Sequence, residues 1–246
     1  MAPRIPFFWY SIVDLTSWKS LISDEANVPV MEGTSVTIEA VQEVGPDTIA
    51  LELRTPNGFD ALPGQFVLIR AVPDGLDEEV ARHYTLSSPG VNDTFELTVG
   101  IDPDGDLSPW LAEREPGDEL HLEGPFGRII YEGDTDVVAV AGGPGIGPAV
   151  SVAEAAHAAG FGATVIYQDD APAHEERLEA LEVEGAAVSI VPEGEEGEAS
   201  LAAAIGTHLD DGQVYAFGFA DFVTQVADAI EDAGGDADEA LIENFG

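Results

Sequence analysis

Cysteine is absent from all 246 residues. That excludes a disulfide framework, a thiolate zinc site, a cysteine nucleophile and a cysteine-ligated iron–sulfur cluster within this chain. Basic residues are nearly as scarce: 8 against 48 acidic ones, a formal net charge of −40, with Lys19 the single lysine. A chain without a basic patch has nothing to offer nucleic-acid phosphates, so DNA and RNA are excluded as partners. The five histidines (His83, His121, His157, His174 and His208) show no H-x-x-x-H spacing, and no G-x-S-x-G occurs. Zinc-protease and serine-hydrolase chemistry therefore have no support, and no metal site is expected. The apolar run Ile5 to Val13 is too short to span a bilayer and carries no small-residue cleavage signal.

What is present is a globular composition under an extreme charge. Hydrophobic residues make up 45% of the chain, too many for a disordered acidic protein. The acids are spread along the sequence, and clusters such as Glu193 to Glu198 are broken by glycine. Self-repulsion on this scale opposes a compact state in dilute buffer, whereas at molar salt the screening length falls to about 3 Å. The charge thus points to the cytoplasm of a salt-loving organism. Residues 1–30 differ in texture: they hold Lys19, Arg4, the run Phe7-Phe8-Trp9-Tyr10 and a net charge of only −1. They are expected to be an atypical leader, disordered or not translated, with Met31 as the true start.

From Ser35 the pattern is that of strands. Ser35 to Val41 alternates polar and apolar side chains, and similar runs follow at 49–54, 66–72, 83–87, 95–101 and 119–122. Gly45-Pro46, Pro63-Gly64 and Pro116-Gly117 punctuate them, and one helical segment is expected over 108–113. Six short strands of this kind predict a closed antiparallel barrel over residues 31–130. After Gly133 strands and helices alternate: strands at 137–140, 163–168, 187–191, 213–217 and 239–243, helices at 149–159, 174–184, 200–209 and 221–233. That alternation predicts a parallel-sheet α/β domain over 131–246, with both faces covered.

Three segments carry candidate chemistry. Arg82-His-Tyr84-Thr85-Leu-Ser87-Ser88 joins a guanidinium suited to diphosphate to an aromatic face and a group of hydroxyls. Gly105-Asp-Leu107-Ser108-Pro-Trp-Leu111 places a serine at a helix start, where backbone N–H groups attract anions. Asp102, Asp104, Asp106 and Glu113 have the spacing of a calcium loop, but Leu107 stands where its sharp turn needs glycine. Gly142-Gly143-Pro-Gly145-Ile146-Gly147-Pro148 lies between a buried strand and a helix, the setting in which bare backbone meets a nucleotide pyrophosphate.

In this order the segments resemble the ferredoxin–NADP reductase superfamily: R-x-Y-[ST]-x-x-S, then G-x-x-S-x-x-L, then G-P-[FYL]-G at Gly124 to Gly127, then A-G-G-x-G-[IV]-x-P. The resemblance covers residues 35–246. It implies that Arg82 holds the FAD pyrophosphate, Tyr84 stacks on the flavin, Thr85 sits near its N5 and Ser88 completes the turn. It also implies that Gly105, Leu107 and Ser108 meet the FAD phosphates, and that Gly142, Gly143, Gly145, Ile146 and Gly147 form the pyridine-nucleotide loop. Where the family has C-G-P-P beside the nicotinamide, this chain has Phe217-Gly218-Phe219, keeping only Gly218. The terminal Glu243-Asn-Phe245-Gly246 is similar to the family's acidic–aromatic end, where Phe245 either shields the flavin or packs in the core.

Asp169 follows the second strand of the α/β region, where an acid can bond a ribose 2′-hydroxyl; Arg177 is the nearest arginine. That favours NADH over NADPH. The implied activity is an FAD-dependent NAD(P)H oxidoreductase that passes electrons to a carrier such as ferredoxin or flavodoxin. The alternatives are an NADH-dependent flavin or haem-protein reductase and a non-autonomous electron-transfer subunit.

Overall fold

The computed structural model describes residues 31–246; the leader expected over residues 1–30 lies outside the described residues. Six antiparallel strands come first: β1 (Met31–Gly45), β2 (Thr48–Arg54), β3 (Phe66–Ala71), β4 (Val80–Thr85), β5 (Thr94–Gly100) and β6 (Glu119–Phe126). Their order is β4-β3-β6-β1-β2-β5, and a Leu86–Leu97 bridge joins the two edges into the expected barrel. β1 runs long because it serves two neighbours. Its first part pairs with β6 and its second with β2, with register shifts between Met31 and Thr34, Ile38 and Ala40, and Glu43 and Gly45. Such shifts bend a strand so that a sheet can close. Ile38, Leu51, Ile69, Phe95, Leu97 and Leu122 fill the interior, and the short helix α1 (Ser108–Ala112) plugs it with Leu107 and Leu111.

The second half is a parallel sheet ordered β11-β10-β7-β8-β9. In chain order it comprises β7 (Val137–Gly142), α2 (Ile146–Ala159), β8 (Ala163–Gln168), α3 (Glu175–Glu184), β9 (Ala187–Val191), α4 (Gly194–His208), β10 (Gln213–Gly218), α5 (Ala220–Asp232) and β11 (Leu241–Asn244). Alternate side chains serve opposite faces. Ala139, Ala141, Val165, Tyr167, Tyr215 and Phe217 pack with α2 and α3. Val138, Val140, Ile166, Val214 and Ala216 pack with α4 and α5. Both faces are covered, as continuous apolar strands such as Val137 to Ala141 require.

Several expected boundaries move: β1 spans Met31–Gly45, β4 begins at Val80, β6 reaches Phe126 and α2 begins at Ile146. α4 begins at Gly194, not residue 200, and takes in most of the glycine-broken acid cluster; Glu195 and Glu196 occupy its first turn, where the helix dipole favours anions. The last strand begins at Leu241 because a 3₁₀ turn, Ala237–Glu239, precedes it, capped by Asp236. Among the described residues no helix is long and apolar enough to cross a membrane.

Candidate functional site

A cleft of about 430 Å³ opens where the barrel meets the carboxyl ends of the parallel strands. β4 supplies Arg82, His83, Tyr84 and Thr85; the 100–108 segment supplies Gly100, Asp102, Gly105, Asp106, Leu107 and Ser108. Across from them lie Pro144 and Pro148 of the glycine turn, with Phe219, Glu243, Asn244 and Phe245 from the ends of β10 and β11. A second cavity of about 380 Å³ sits at the opposite end of β10, around Leu209, Gly212 and Ile230. It contains none of the motif residues, and open parallel sheets bind ligands at their carboxyl ends, so the first cleft is the candidate site.

Among the described residues, Arg54, Arg70, Arg114 and Arg177 are each paired with carboxylates. Arg82 is in no such pair; its guanidinium donates only to the Ala81 carbonyl, at 2.9 Å. A free guanidinium at the mouth of a cleft is the arrangement a diphosphate needs. Beside it burial pushes the Tyr84 phenol up to about 12, against the opposing effect of Arg82, so the ring is a neutral aromatic surface. Asp102 and Asp106 line the same wall and oppose phosphate, which leaves Arg82 as the cation answering it there.

The C-terminal strand brings in a residue that sequence reasoning named only as part of a terminal segment. Glu243 turns its carboxyl into the cleft, where Oε1 accepts a 3.3 Å bond from the Thr85 hydroxyl and Oε2 is buried without a partner among the described residues. Burial raises this carboxyl to about 7, with the Thr85 bond pulling weakly the other way. Phe219 is 53% exposed and meets Phe245 edge to face at 5.9 Å. Phe245 therefore lines the cleft, and its backbone N–H is held by the Gly218 carbonyl at 2.9 Å.

Several expected roles need correction. Phe217, expected beside the nicotinamide, is fully buried and stacked on Tyr215, on the α2–α3 face of the sheet. It lies within β10 on the covered face, whereas Phe219 stands past the end of that strand, at the start of α5, and is the aromatic that lines the cleft. Ser88 does not reach the cleft: its hydroxyl accepts from the Glu96 N–H and its carbonyl from the Ser151 hydroxyl. Ser108 is not a helix cap; its hydroxyl accepts from the Asp102 N–H and braces the loop, with Leu107 buried beside it.

The glycine turn is a 3₁₀ turn, Gly143–Gly145, leading straight into α2. Most of its glycines answer to packing. A side chain at Gly142 would strike the Phe222 ring, one at Gly145 the Phe217 backbone, and one at Gly147 Thr98 and Ser87. Gly218 is likewise closed off by Phe222. Ile146 is buried in the α2 core. Only Gly143 combines open space with a left-handed φ of +53°, which glycine adopts without strain. Asp169 lies outside the cleft lining: Oδ2 accepts from the Tyr167 hydroxyl at 2.9 Å and Oδ1 from the Ala171 N–H at 2.8 Å.

Residues 35–131 match the family model of the oxidoreductase FAD-binding domain. That match, with the reductases below, supports the resemblance to the ferredoxin–NADP reductase superfamily. The chain is 34% identical over 138 residues to the ferredoxin reductase component of a 3-ketosteroid-9-alpha-monooxygenase from Mycolicibacterium smegmatis, a match covering 52% of this chain and 38% of that one. It is 43% identical over 95 residues to a glycine betaine monooxygenase reductase subunit from Chromohalobacter salexigens, covering 37% and 25%. The matches thus span well under half the length of these curated relatives. In fold, it superposes on the Amycolatopsis cytochrome P450 reductase GcoB with a TM-score of 0.74 at 20% identity, covering 90% of this chain and 72% of that one. The FAD/NAD-binding domain of a Vibrio cholerae nitric oxide dioxygenase gives 0.72 at 22% identity, covering 88% and 100%.

The cleft residues fit FAD. A guanidinium and a buried carboxylate oxygen, both without an ionic partner among the described residues, converge with a neutral aromatic face on one space at the edge of an FAD-binding domain.

Proposed function

We propose that this chain is an FAD-dependent NAD(P)H oxidoreductase with a preference for NADH, serving an electron-carrier protein. The observation that carries the reading is the single cleft shared by Arg82, Tyr84, Thr85, the turn at Gly143 and the terminal pair Glu243 and Phe245. Bound FAD would supply the acceptance of a hydride from the nicotinamide and the onward release of electrons one or two at a time. The chain's own residues bind and orient. Arg82 holds the diphosphate, with Gly105, Leu107 and Ser108 shaping the loop beside it. Tyr84 offers its ring as a stacking surface, and Thr85 orients the Glu243 carboxyl. A carboxyl raised to about 7 can hold a proton at Oε2 near neutral pH and release it, the requirement for general acid–base work. Phe219 and Phe245 cover the cleft where the nicotinamide enters and exclude water.

In this reading residues 31–130 bind FAD and residues 131–246 bind the nucleotide, with Gly143 the point of closest approach. The preference for NADH rests on charge. Arg177, the nearest candidate for a 2′-phosphate, is bonded to Glu96 and Glu154, while Asp169 and Asp170 stand at the end of β8. The acceptor is a separate carrier such as ferredoxin or flavodoxin, and relatives named as reductase components of monooxygenases favour one that feeds an oxygenase. The net charge of −40 supports a high-salt cytoplasm as the setting.

The test is an absorbance spectrum of protein purified in molar KCl, followed by anaerobic NADH and then NADPH. Flavin bands that bleach faster with NADH are expected. A protein that stays colourless after incubation with FAD refutes the flavin assignment, and faster bleaching by NADPH refutes the nucleotide preference.

A further inference from the structure

One guanidinium ties the two halves of the molecule together. Arg177 on α3 donates from Nε and Nη2 to both carboxylate oxygens of Glu154, each at 2.7 Å. Glu154 stands on α2, the helix that leaves the glycine turn. The same guanidinium crosses to the barrel: Nη1 donates to Glu96 on β5 at 2.9 Å, and Nη2 to the Ser87 carbonyl at 2.6 Å. Ser87 lies two residues after Thr85, and its hydroxyl donates to the same Glu96 oxygen at 2.7 Å. The side chain is only 22% exposed, so salt screens these bonds far less than surface pairs.

The surrounding contacts are close and neutral. Thr98 Oγ1 and His174 Nε2 lie 2.8 Å apart, and the His174 N–H donates to the Val44 carbonyl at 2.8 Å. Gly45 leaves no room for a side chain against Ala173, nor does Gly147 against Thr98. The Ser151 hydroxyl reaches the Ser88 carbonyl at 2.8 Å. In this shell Arg177 is the one cation among the described residues, and it draws a carboxylate from each half of a strongly acidic chain onto one point.

We propose that Arg177 is a positioning residue: by joining α2 to the segment that follows Thr85, it fixes the glycine turn against the flavin wall at the distance hydride transfer requires. This rests on the oxidoreductase reading, because the consequence is a rate. Arginine is the residue type suited to the task, since its planar fork serves both carboxylates and a carbonyl at once.

The absence of cysteine allows a direct test in the full chain loaded with FAD. Cysteines introduced as Asn57→Cys in the barrel and Ala202→Cys on α4, both exposed, carry a pair of spin labels across the junction. With Arg177 intact the distance distribution should be narrow. Arg177→Met should broaden it, leave FAD content and NADH affinity unchanged, and slow anaerobic flavin bleaching by on the order of 100-fold, the scale of a 1 Å misplacement. Arg177→Lys should recover only part of the rate, since an ammonium lacks the fork. A narrow distribution with wild-type bleaching in Arg177→Met overturns the proposal. If Arg177→Met does not fold, Glu96→Gln leaves the Glu154 pair and weakens the barrel link alone; it must broaden the distribution, and a narrow one overturns the proposal. A parent protein that NADH never bleaches refutes the oxidoreductase reading, while the distance measurement still judges the junction.

Discussion

Replacing Glu243 with glutamine should remove a pH dependence of stability whose sign follows from the site. The carboxyl is buried, its Oε2 has no partner among the described residues, and its one bond comes from Thr85 at 3.3 Å. Burial therefore lifts it from 4.5 to about 7. Between those values the folded protein binds the proton more tightly than the unfolded chain does, so stability falls as pH rises through this window and levels off above it. A tenfold difference in proton affinity corresponds to about 1.4 kcal/mol, so the whole effect is on the order of 3 kcal/mol. Glutamine has nearly the same shape and no charge to desolvate. The two proteins should have equal stability near the acid end of the window, and the variant should be the more stable one above neutrality. Urea unfolding of the FAD-free protein in molar KCl, from about pH 5 to pH 8, measures this as a difference in midpoint at constant m-value. Subtracting the variant cancels the titration of the other carboxylates, which both proteins share. A difference that stays flat across that range would show that the carboxyl ionises in the folded protein as readily as in water.

Three other perturbations separate packing from binding. Gly145→Ala should destabilise the α/β sheet by about 1–3 kcal/mol, because a methyl there lies 2.7 Å from the Phe217 carbonyl carbon; an unchanged urea midpoint contradicts the packing role. Arg82→Ala should lose FAD on equilibrium dialysis by roughly tenfold or more, the loss of one charge-assisted contact, while the urea midpoint of the FAD-free protein stays put; full FAD retention rules out the diphosphate role. Asp169→Ala should weaken NADH more than NADPH in anaerobic titration. Equal weakening of both would mean that its bonds to Tyr167 and Ala171 merely shape the turn.

The barrel and the α/β sheet were both legible because their signals are local. Alternation with a period of two marks a half-buried strand whichever strand lies beside it, and Ser35 to Val41 shows it. The glycine turn between Val140 and Ala149 was legible for the same reason: a strand, a turn and a helix adjoin in the chain. Boundaries were less legible, as at α4, expected from residue 200, which starts at Gly194 so that glycine-broken acids fill its first turn.

What local patterns leave open is which face and which neighbour. Phe217 and Phe219 are indistinguishable on paper; β10 ends at Gly218, so the first is held inside the covered sheet and the second stands at the start of α5, on the cleft. The glycines at 142, 145 and 147 look like nucleotide contacts in the sequence, yet Phe222, the β10 backbone and the barrel are what forbid their side chains. Arg177 reads as a stray cation until folding sets it between residues 81 and 23 positions away. Glu243 lies 158 residues from Thr85, and only the parallel pairing of β11 with β10 carries its carboxyl into a space dry enough to hold a proton near neutral pH. Composition, strand and helix pattern and the motif order were determined by the sequence itself, because each depends on neighbours along the chain. Burial, face and charge partner were decided by the tertiary structure, because each depends on neighbours in space.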